Sequence, residues 1–431
     1  MNTNYYTATE VADMLSVSKR TLSCWEKNGR LVPELEPETK QMIYTLEALC
    51  KFNPAFKNKS NKWDEEMKTK PNRDYTSVEL FAGAGGLALG LEKAGFKSVM
   101  LNEIDANACA TLRKNRPEWN VIEGDIANID FKQYKNKIDF LSGGFPCQAF
   151  SYAGKRLGFE DVRGTMFYQF ARAVKEIQPK VFMGENVRGL LTHDQGRTIT
   201  TIKGIIKDLG YVLIEPRVLK AIFYMVPQKR ERLILIGIRK DLIEKANFEW
   251  PAPYKRILSL KDSLKKGILY DCDCPKSDGQ QYPKRKREIL DLVPPGGYWR
   301  DLPDDLQREY MKGSYFLSGG KTGMARRLSW DEPSLTLTCA PAQKQTERCH
   351  PEETRPLTVR EYARIQTFPD DWEFVGTQTS QYKQIGNAVP VNLAYAVGRS
   401  LIRLLNDIES DEIKERKVPI DNEIRQLELV F

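Results

Sequence analysis

The chain has 431 residues, 41% of them hydrophobic and 29% charged, and carries a net charge of +8. This balance implies a soluble globular protein of two to four domains and excludes a disordered or fibrous chain; no apolar run nears the roughly 18 residues of a membrane span, and no signal peptide is visible at the amino terminus. With only His193 and His350 a multi-histidine metal site is impossible and a histidine-dependent hydrolase would have to use one of these two, while eight scattered cysteines read as reduced cytosolic thiols.

Residues 1–55 are expected to form a small helical module. Thr7-Ala8-Thr9-Glu10 fits a capping box ahead of an apolar face of Val11, Ala12, Met14 and Leu15. Ser16-Val17-Ser18 is a turn. A second helix then carries Lys19, Arg20 and Trp25 and stops at Asn28-Gly29. Two short helices around a tight turn, the second polar and basic, resemble the excisionase/MerR-type helix-turn-helix, which implies DNA contact through Lys19 and Arg20. A helical hairpin packed on a main domain would show the same pattern.

Residues 56–74 are polar and lysine-rich and read as a linker. From 75 to 246, strands alternate with helices. Strands are predicted at 78–81, 98–101, 121–122, 140–142, 181–184, 212–219 and 233–238, and helices at 87–94, 107–115 and 166–177. The alternation defines an α/β fold: a mostly parallel sheet with helices on both faces. Between 247 and 355 the rhythm is lost, and an inserted domain with little regular structure is expected. Its residues 254–287 hold ten Lys/Arg against four acids, ending in Lys284-Arg285-Lys286-Arg287. That run is either a phosphate contact or a solvated loop. Helices are predicted again at 359–367 and 387–404, within a return segment 356–410, before a tail of 411–431.

The chemistry gathers at the strand ends. Phe81-Ala82-Gly83-Ala84-Gly85-Gly86 follows the first strand, and such a turn lets a nucleotide approach backbone at a helix amino terminus. Glu103, which lies 20 residues past Gly83, follows the second strand, Asp125 the third, Pro146-Cys147-Gln148 the fourth and Glu185-Asn186-Val187 the fifth. In an open α/β sheet these ends share one edge, where ligands bind. Glu103 suits ribose hydroxyls and Asp125 an adenine amino group. The glycine pattern with Glu103 would equally serve a nicotinamide dehydrogenase, but that reading gives Cys147, Glu185 and the basic insert no role. At an ordinary pKa of about 8.5, only about 3% of Cys147 is thiolate at pH 7, so it needs a positive environment or an electrophile that gains charge during attack.

These motifs closely resemble those of the DNA (cytosine-5) methyltransferases, in unpermuted order across 77–405. Besides the glycine, Pro-Cys-Gln and Glu-Asn-Val motifs, Gln228-Lys229-Arg230-Glu231-Arg232, residues 355–361 and residues 384–390 match the family's further motifs. The resemblance implies a Rossmann-like S-adenosylmethionine-dependent methyltransferase sheet, with residues 247–355 as the target-recognition domain. It implies that Cys147 is the nucleophile, that Glu185 contacts the base, and that Arg232 orients Glu185. S-adenosylmethionine would be held by Phe81, Ala82, Gly83, Gly85, Gly86, Leu87, Glu103, Ile104, Asp125, Ile126 and Pro146, with Asn387 and Val389 closing the pocket. Gln148, Ser151, Arg163, Gly164 and Arg230 would lie on DNA. In the insert, residues 336–339 and 343–348 are polar enough to include base-reading side chains. The spacing of Cys272, Cys274, Cys339, Cys349 and His350 does not fit zinc. The expected partner is double-stranded DNA, methylated by a monomer in the prokaryotic cytoplasm, nucleoid-associated and beside a cognate restriction endonuclease. A transfer-RNA methyltransferase and a DNA-binding regulator with added methyltransferase activity are the alternatives.

Overall fold

A computed structural model describes residues 5–15, 17, 19–35, 42–52, 62–146, 165–319 and 321–410. It divides into two compact units, one built on the described residues up to Lys68 together with Ala252–Ile257, the other on Thr69–Pro251 and the described residues from Leu258 to 410.

In the smaller unit the capping box forms as expected. The Thr7 N–H donates to Glu10 Oε2 at 2.8 Å and the Glu10 N–H to Thr7 Oγ1 at 3.3 Å, so a helix begins at Ala8 and runs Ala8–Leu15. The second helix, Lys19–Lys27, is closed at Gly29 (φ 67°), beyond which the Arg30 N–H donates to the Trp25 carbonyl at 2.9 Å. The unit also holds a sheet beyond the expected helices: Tyr5–Thr7 and Glu34–Leu35 flank Met42–Thr45 in antiparallel pairing. Strands this short show no readable alternation. A further helix, Leu46–Phe52, follows, and Val11, Leu22, Leu31, Tyr44 and Leu49 are buried. Within the stretch read as a linker, Lys62–Glu66 is helical. Trp63 meets Tyr254 edge-on at 5.5 Å, and Glu66 accepts from the Ala252 N–H at 3.0 Å.

The larger unit is built on seven strands: β1 (Tyr75–Leu80), β2 (Phe96–Glu103), β3 (Val121–Glu123), β4 (Phe140–Gly143), β5 (Val181–Asn186), β6 (Tyr211–Lys220) and β7 (Glu231–Arg239). Their order is β3-β2-β1-β4-β5-β7-β6. Strands β1 to β5 are parallel, and β7 runs antiparallel to both its neighbours. The chain winds outward from β1 to β3 and then crosses back to β4, so the order reverses between β1 and β4. A crevice opens at the carboxyl ends of strands at such a point.

Helices α1 (Gly86–Ala94), α2 (Ala106–Asn115), α3 (Met166–Ile177), α4 (Arg197–Asp208), α5 (Val359–Ile365), α6 (Gln378–Asn387) and α7 (Val391–Glu409) belong to this unit. On one side, Phe167, Phe170 and Val174 of α3 and Ile202 and Ile205 of α4 pack with Val78, Leu141 and Phe182. In a second core, Leu89, Leu112, Tyr362, Tyr382 and Val391 pack with Leu101. Two-sided burial explains why these strands read as near-continuous apolar runs. Helix α4 is an addition to the expected elements; it is rich in threonine and isoleucine, which are weak helix formers. Helix α7 starts at Val391 rather than at 387, because Pro390 ends one helix and opens the next.

The insert is more ordered than expected. It contains helices Leu260–Leu264, Lys284–Asp291 and Asp304–Met311, and its own buried cluster includes Tyr282, Leu290, Trp299 and Met311. Among the described residues, no helix is long and apolar enough to cross a membrane.

Candidate functional site

The glycine turn lies at the carboxyl end of β1, beside the crossover to β4. Phe81 leaves the strand with φ 58°, and Gly85 caps α1 with φ 86°. A Cβ on Gly85 would come within 2.7 Å of Leu112 and 3.0 Å of Trp372, and one on Gly86 within 2.3 Å of the Val389 carbonyl oxygen. Ala82 and Leu87 are buried beside it. The turn therefore sits on the floor made by Trp372 and Val389, with the Gly83 side open. Trp372 joins the site with no signal in the sequence, because nothing local links it to residue 85.

Glu103, at the end of β2, is already engaged. One carboxylate oxygen accepts from the Gly83 N–H at 2.7 Å, and the other accepts from Ile104 at 2.8 Å and Asp105 at 2.9 Å. It fixes the shape of the glycine turn. Beside it Ile104 is 69% exposed. Asp125 is exposed at the end of β3 and accepts from the Ala127 N–H at 2.9 Å, while Ile126 is buried beneath. An apolar face between carboxylates on successive strand ends fits an adenosine group.

On the other side of the crossover, Gly143 ends β4 and Phe145-Pro146 turns outward, with Pro146 exposed. Asn186 Nδ2 donates to the Phe145 carbonyl at 2.8 Å and so holds that turn from β5. Glu185, the residue before it, is paired with Ile234 in the sheet register. Arg232 is two residues from Ile234 and shares its face. Arg232 Nε reaches Glu185 Oε1 at 2.5 Å, and both side chains are 11% exposed. Glu185 Oε2 lies against Gly144, where an added Cβ would stand 3.0 Å away.

The Gln-x-Arg-x-Arg motif divides by alternation. Lys229 and Glu231 pair with Glu332 and Arg188. Gln228, Arg230 and Arg232 share the other face. Arg230, expected on DNA, is instead an internal staple and 2% exposed. Its guanidinium donates to the Leu337 carbonyl at 3.1 Å and the Gly386 carbonyl at 2.9 Å. Burial and then Arg232 lower its pKa to about 9, so it keeps its charge at neutral pH. Fully buried Gln228 accepts from the Leu337 N–H at 3.0 Å and donates to Gln366 at 2.9 Å. Residues 228–229 pair with 334–335 as a parallel ladder. The motif thus sutures the insert to the sheet. The insert's Cys339 Sγ donates to Asn387 Oδ1 at 3.1 Å, at the end of α6.

Several candidates for base or phosphate contact prove internal. Glu347 is fully buried and paired with Lys286 at 2.6 Å, and Arg348 is buried with a lowered pKa of about 10 caused first by burial. Arg285, by contrast, stays on the surface, where Glu288 and Glu309 pair with it. Cys147, Gln148, Ser151, Arg163 and Gly164 lie outside the described residues, as do the side chains of Lys19 and Arg20. Among the described residues, no three His, Cys, Asp or Glu side chains converge in a way that could hold a metal ion.

Residues 75–403 match the model of the C-5 cytosine-specific DNA methylases, and the chain belongs to that family, as a DNA (cytosine-5) methyltransferase. Residues 6–52 match the model of the MerR HTH family regulatory proteins. The chain is 67% identical to the type II methyltransferase M.Eco47II of Escherichia coli, over 94% of its own length and 96% of that protein's. It is 62% identical to M.PspPI of Psychrobacter sp. (strain TA137), over 95% and 98%. A solved prophage-encoded E. coli structure assigned as a DNA modification methyltransferase superposes with a TM-score of 0.55 at 25% identity, over 77% of this chain and all of that one.

Proposed function

We propose that the protein methylates carbon 5 of one cytosine in a short duplex-DNA site, through a covalent Cys147 adduct, and so protects DNA in a restriction–modification system. The Glu185–Arg232 pair carries this reading. It is desolvated, held at 2.5 Å, and stands beside the Phe145-Pro146 turn that leads into Cys147.

Carbon 5 of cytosine is too weak a nucleophile to react directly. Addition of the Cys147 thiolate at carbon 6 makes carbon 5 an enamine carbon able to take the methyl group. Loss of the carbon 5 proton and elimination of the thiolate then restore the ring and the free cysteine. Among the described residues no side chain stands out as the base for that proton, and water can take it. As the sulfur adds, N3 takes up a proton, the equivalent of the one the Cys147 thiol gave up, and returns it when the thiolate leaves. Glu185, oriented by Arg232, accepts from the protonated N3 and from the exocyclic amine. S-adenosylmethionine supplies the electrophilic methyl group when bound. Gly83, Glu103, Ile104 and Asp125 would hold its adenosine part, and Asn387 and Val389 would close over it. Carbon 6 is inaccessible inside a duplex, so the cytosine must flip out, at a cost of a few kcal/mol that protein contacts offset.

The resemblance to type II methyltransferases supports the restriction–modification setting. The N-terminal module would add phosphate contacts, or bind the enzyme's own promoter, without setting the methylated site. Bisulfite sequencing of DNA from expressing cells tests the reading. It should find one short sequence protected at a single cytosine position. Methylation confined to transfer RNA in a competition with duplex DNA would replace it with the RNA alternative.

A further inference from the structure

Phe316 is 80% exposed and Leu317 66%, side by side on a loop of the insert. The loop is held from within. Trp299, in the insert's buried core, meets Tyr315 edge-on at 5.9 Å, and Tyr315 meets Phe316 edge-on at 5.2 Å. The Tyr315 hydroxyl donates to Asp304 at 2.9 Å, and Lys321 Nζ donates to the Tyr315 carbonyl at 3.1 Å. An aromatic ladder thus runs from the core out to an uncovered phenyl ring.

The surroundings are cationic. Lys312 is exposed beside the tip, and Lys344 Nζ donates to the Met311 carbonyl at the loop's root at 3.1 Å. Burial, and after it the charges of Lys312 and Lys286, lower the pKa of Lys344. Two of the nearby acids are engaged, Glu309 with Arg285 and Asp304 with Arg308, and Asp305 is exposed on the same helix. The root also connects to the carboxyl edge of the sheet: Thr346, two residues from Lys344, bonds Thr338 at 3.1 Å, next to the Cys339 thiol that donates to Asn387.

We propose that Phe316 and Leu317 form a preorganised apolar prong that inserts into the base stack of the bound DNA, with Lys312 and Lys321 on the flanking phosphates. A small apolar tip flanked by Lys312 and Lys321 is a poor match for a protein partner, whose interface cores are depleted in lysine. It matches a polymer with charge outside and stacked apolar rings inside. The inference rests on the DNA-methylation reading and adds the residues that grip the substrate.

The test is steady-state methylation of a duplex carrying the bisulfite-mapped site. Phe316→Ala with Leu317→Ala should raise the KM for DNA roughly 5- to 150-fold, the range for removing one side chain that stacks on a base. Affinity for S-adenosylmethionine measured without DNA should not change. Phe316→Trp should restore most of the loss. The salt dependence of the KM should keep its slope in the apolar variant. In Lys312→Ala it should flatten by roughly 0.9 log units for each phosphate no longer neutralised. An unchanged KM for DNA would overturn the prong. So would a parallel loss of cofactor affinity, which would make the tip structural. A wild-type protein that transfers no methyl group to DNA would instead overturn the reading beneath it.

Discussion

Replacing Arg232 with alanine removes the guanidinium 2.5 Å from Glu185 and leaves a carboxylate 11% exposed without that partner. A charge-assisted hydrogen bond contributes about 1.5–3 kcal/mol. If the pair acts on the base as a unit, kcat/KM should fall roughly 10- to 150-fold. Breaking a buried ion pair destabilises by about 3–5 kcal/mol, and partial exposure places this one near the lower end. Arg232→Lys keeps the charge without the Nε geometry and should lose less. Glu185→Gln alone should nearly abolish turnover. The two substitutions together should be no slower than Glu185→Gln, because Arg232 has nothing left to orient. The assay is methyl transfer to duplex DNA for the four proteins of the cycle, with urea unfolding in parallel. Multiplicative losses in the double variant would refute the argument and show that Arg232 acts on the substrate independently of Glu185.

Asp125→Asn keeps the cap on the Ala127 N–H but removes the charge, and should weaken S-adenosylmethionine binding roughly tenfold to a hundredfold in calorimetry. Burial raises the Glu79 carboxyl to about 8, against hydrogen bonds from Ser142 and the Ala88 backbone. Below pH 4.5 folded and unfolded chains both keep that proton, whereas between 4.5 and 8 only the folded chain does, so the glutamate destabilises increasingly as pH rises. Glu79→Gln should therefore raise the Tm progressively from pH 5 to 8, by at most about 1.4 kcal/mol per pH unit in stability. A chain beginning at Thr69 should still bind cofactor and methylate the same site, with weaker DNA binding and a flatter salt dependence. It leaves Tyr254 without Trp63, so its solubility, followed by gel filtration, should fall before its kcat does.

The seven strands of the sheet are legible in the sequence because burial on both faces writes itself as apolar runs at regular spacing. The convergence of Glu103, Asp125, Pro146 and Glu185 follows from one rule about strand ends. Arg230 differs from its expected place on DNA because residue type reports charge but not depth. Its alternation with Gln228 and Arg232 on β7's approach holds the clue, since three polar residues on one face of a buried ladder must be satisfied internally. Lys286, Glu347 and Arg348 read as surface residues for the same reason. The N-terminal sheet leaves no pattern because its strands have two to four residues. The start of α7 is set by Pro390, which outweighs the helix-forming residues before it. The packing of Trp372 beneath Gly85 joins residues far apart in sequence and has no local signature.

The covalent step is the centre of the account. Incubating the protein and S-adenosylmethionine with a duplex carrying 5-fluorocytosine at the target position blocks loss of the substituent at carbon 5 and should freeze the adduct. A protein–DNA species stable to denaturation should accumulate, and peptide mapping should place the DNA on Cys147. Cys147→Ser should give none while still binding cofactor. Methylated product from ordinary DNA without a trapped species, or an adduct on any other residue, would contradict the assignment of Cys147 as the nucleophile.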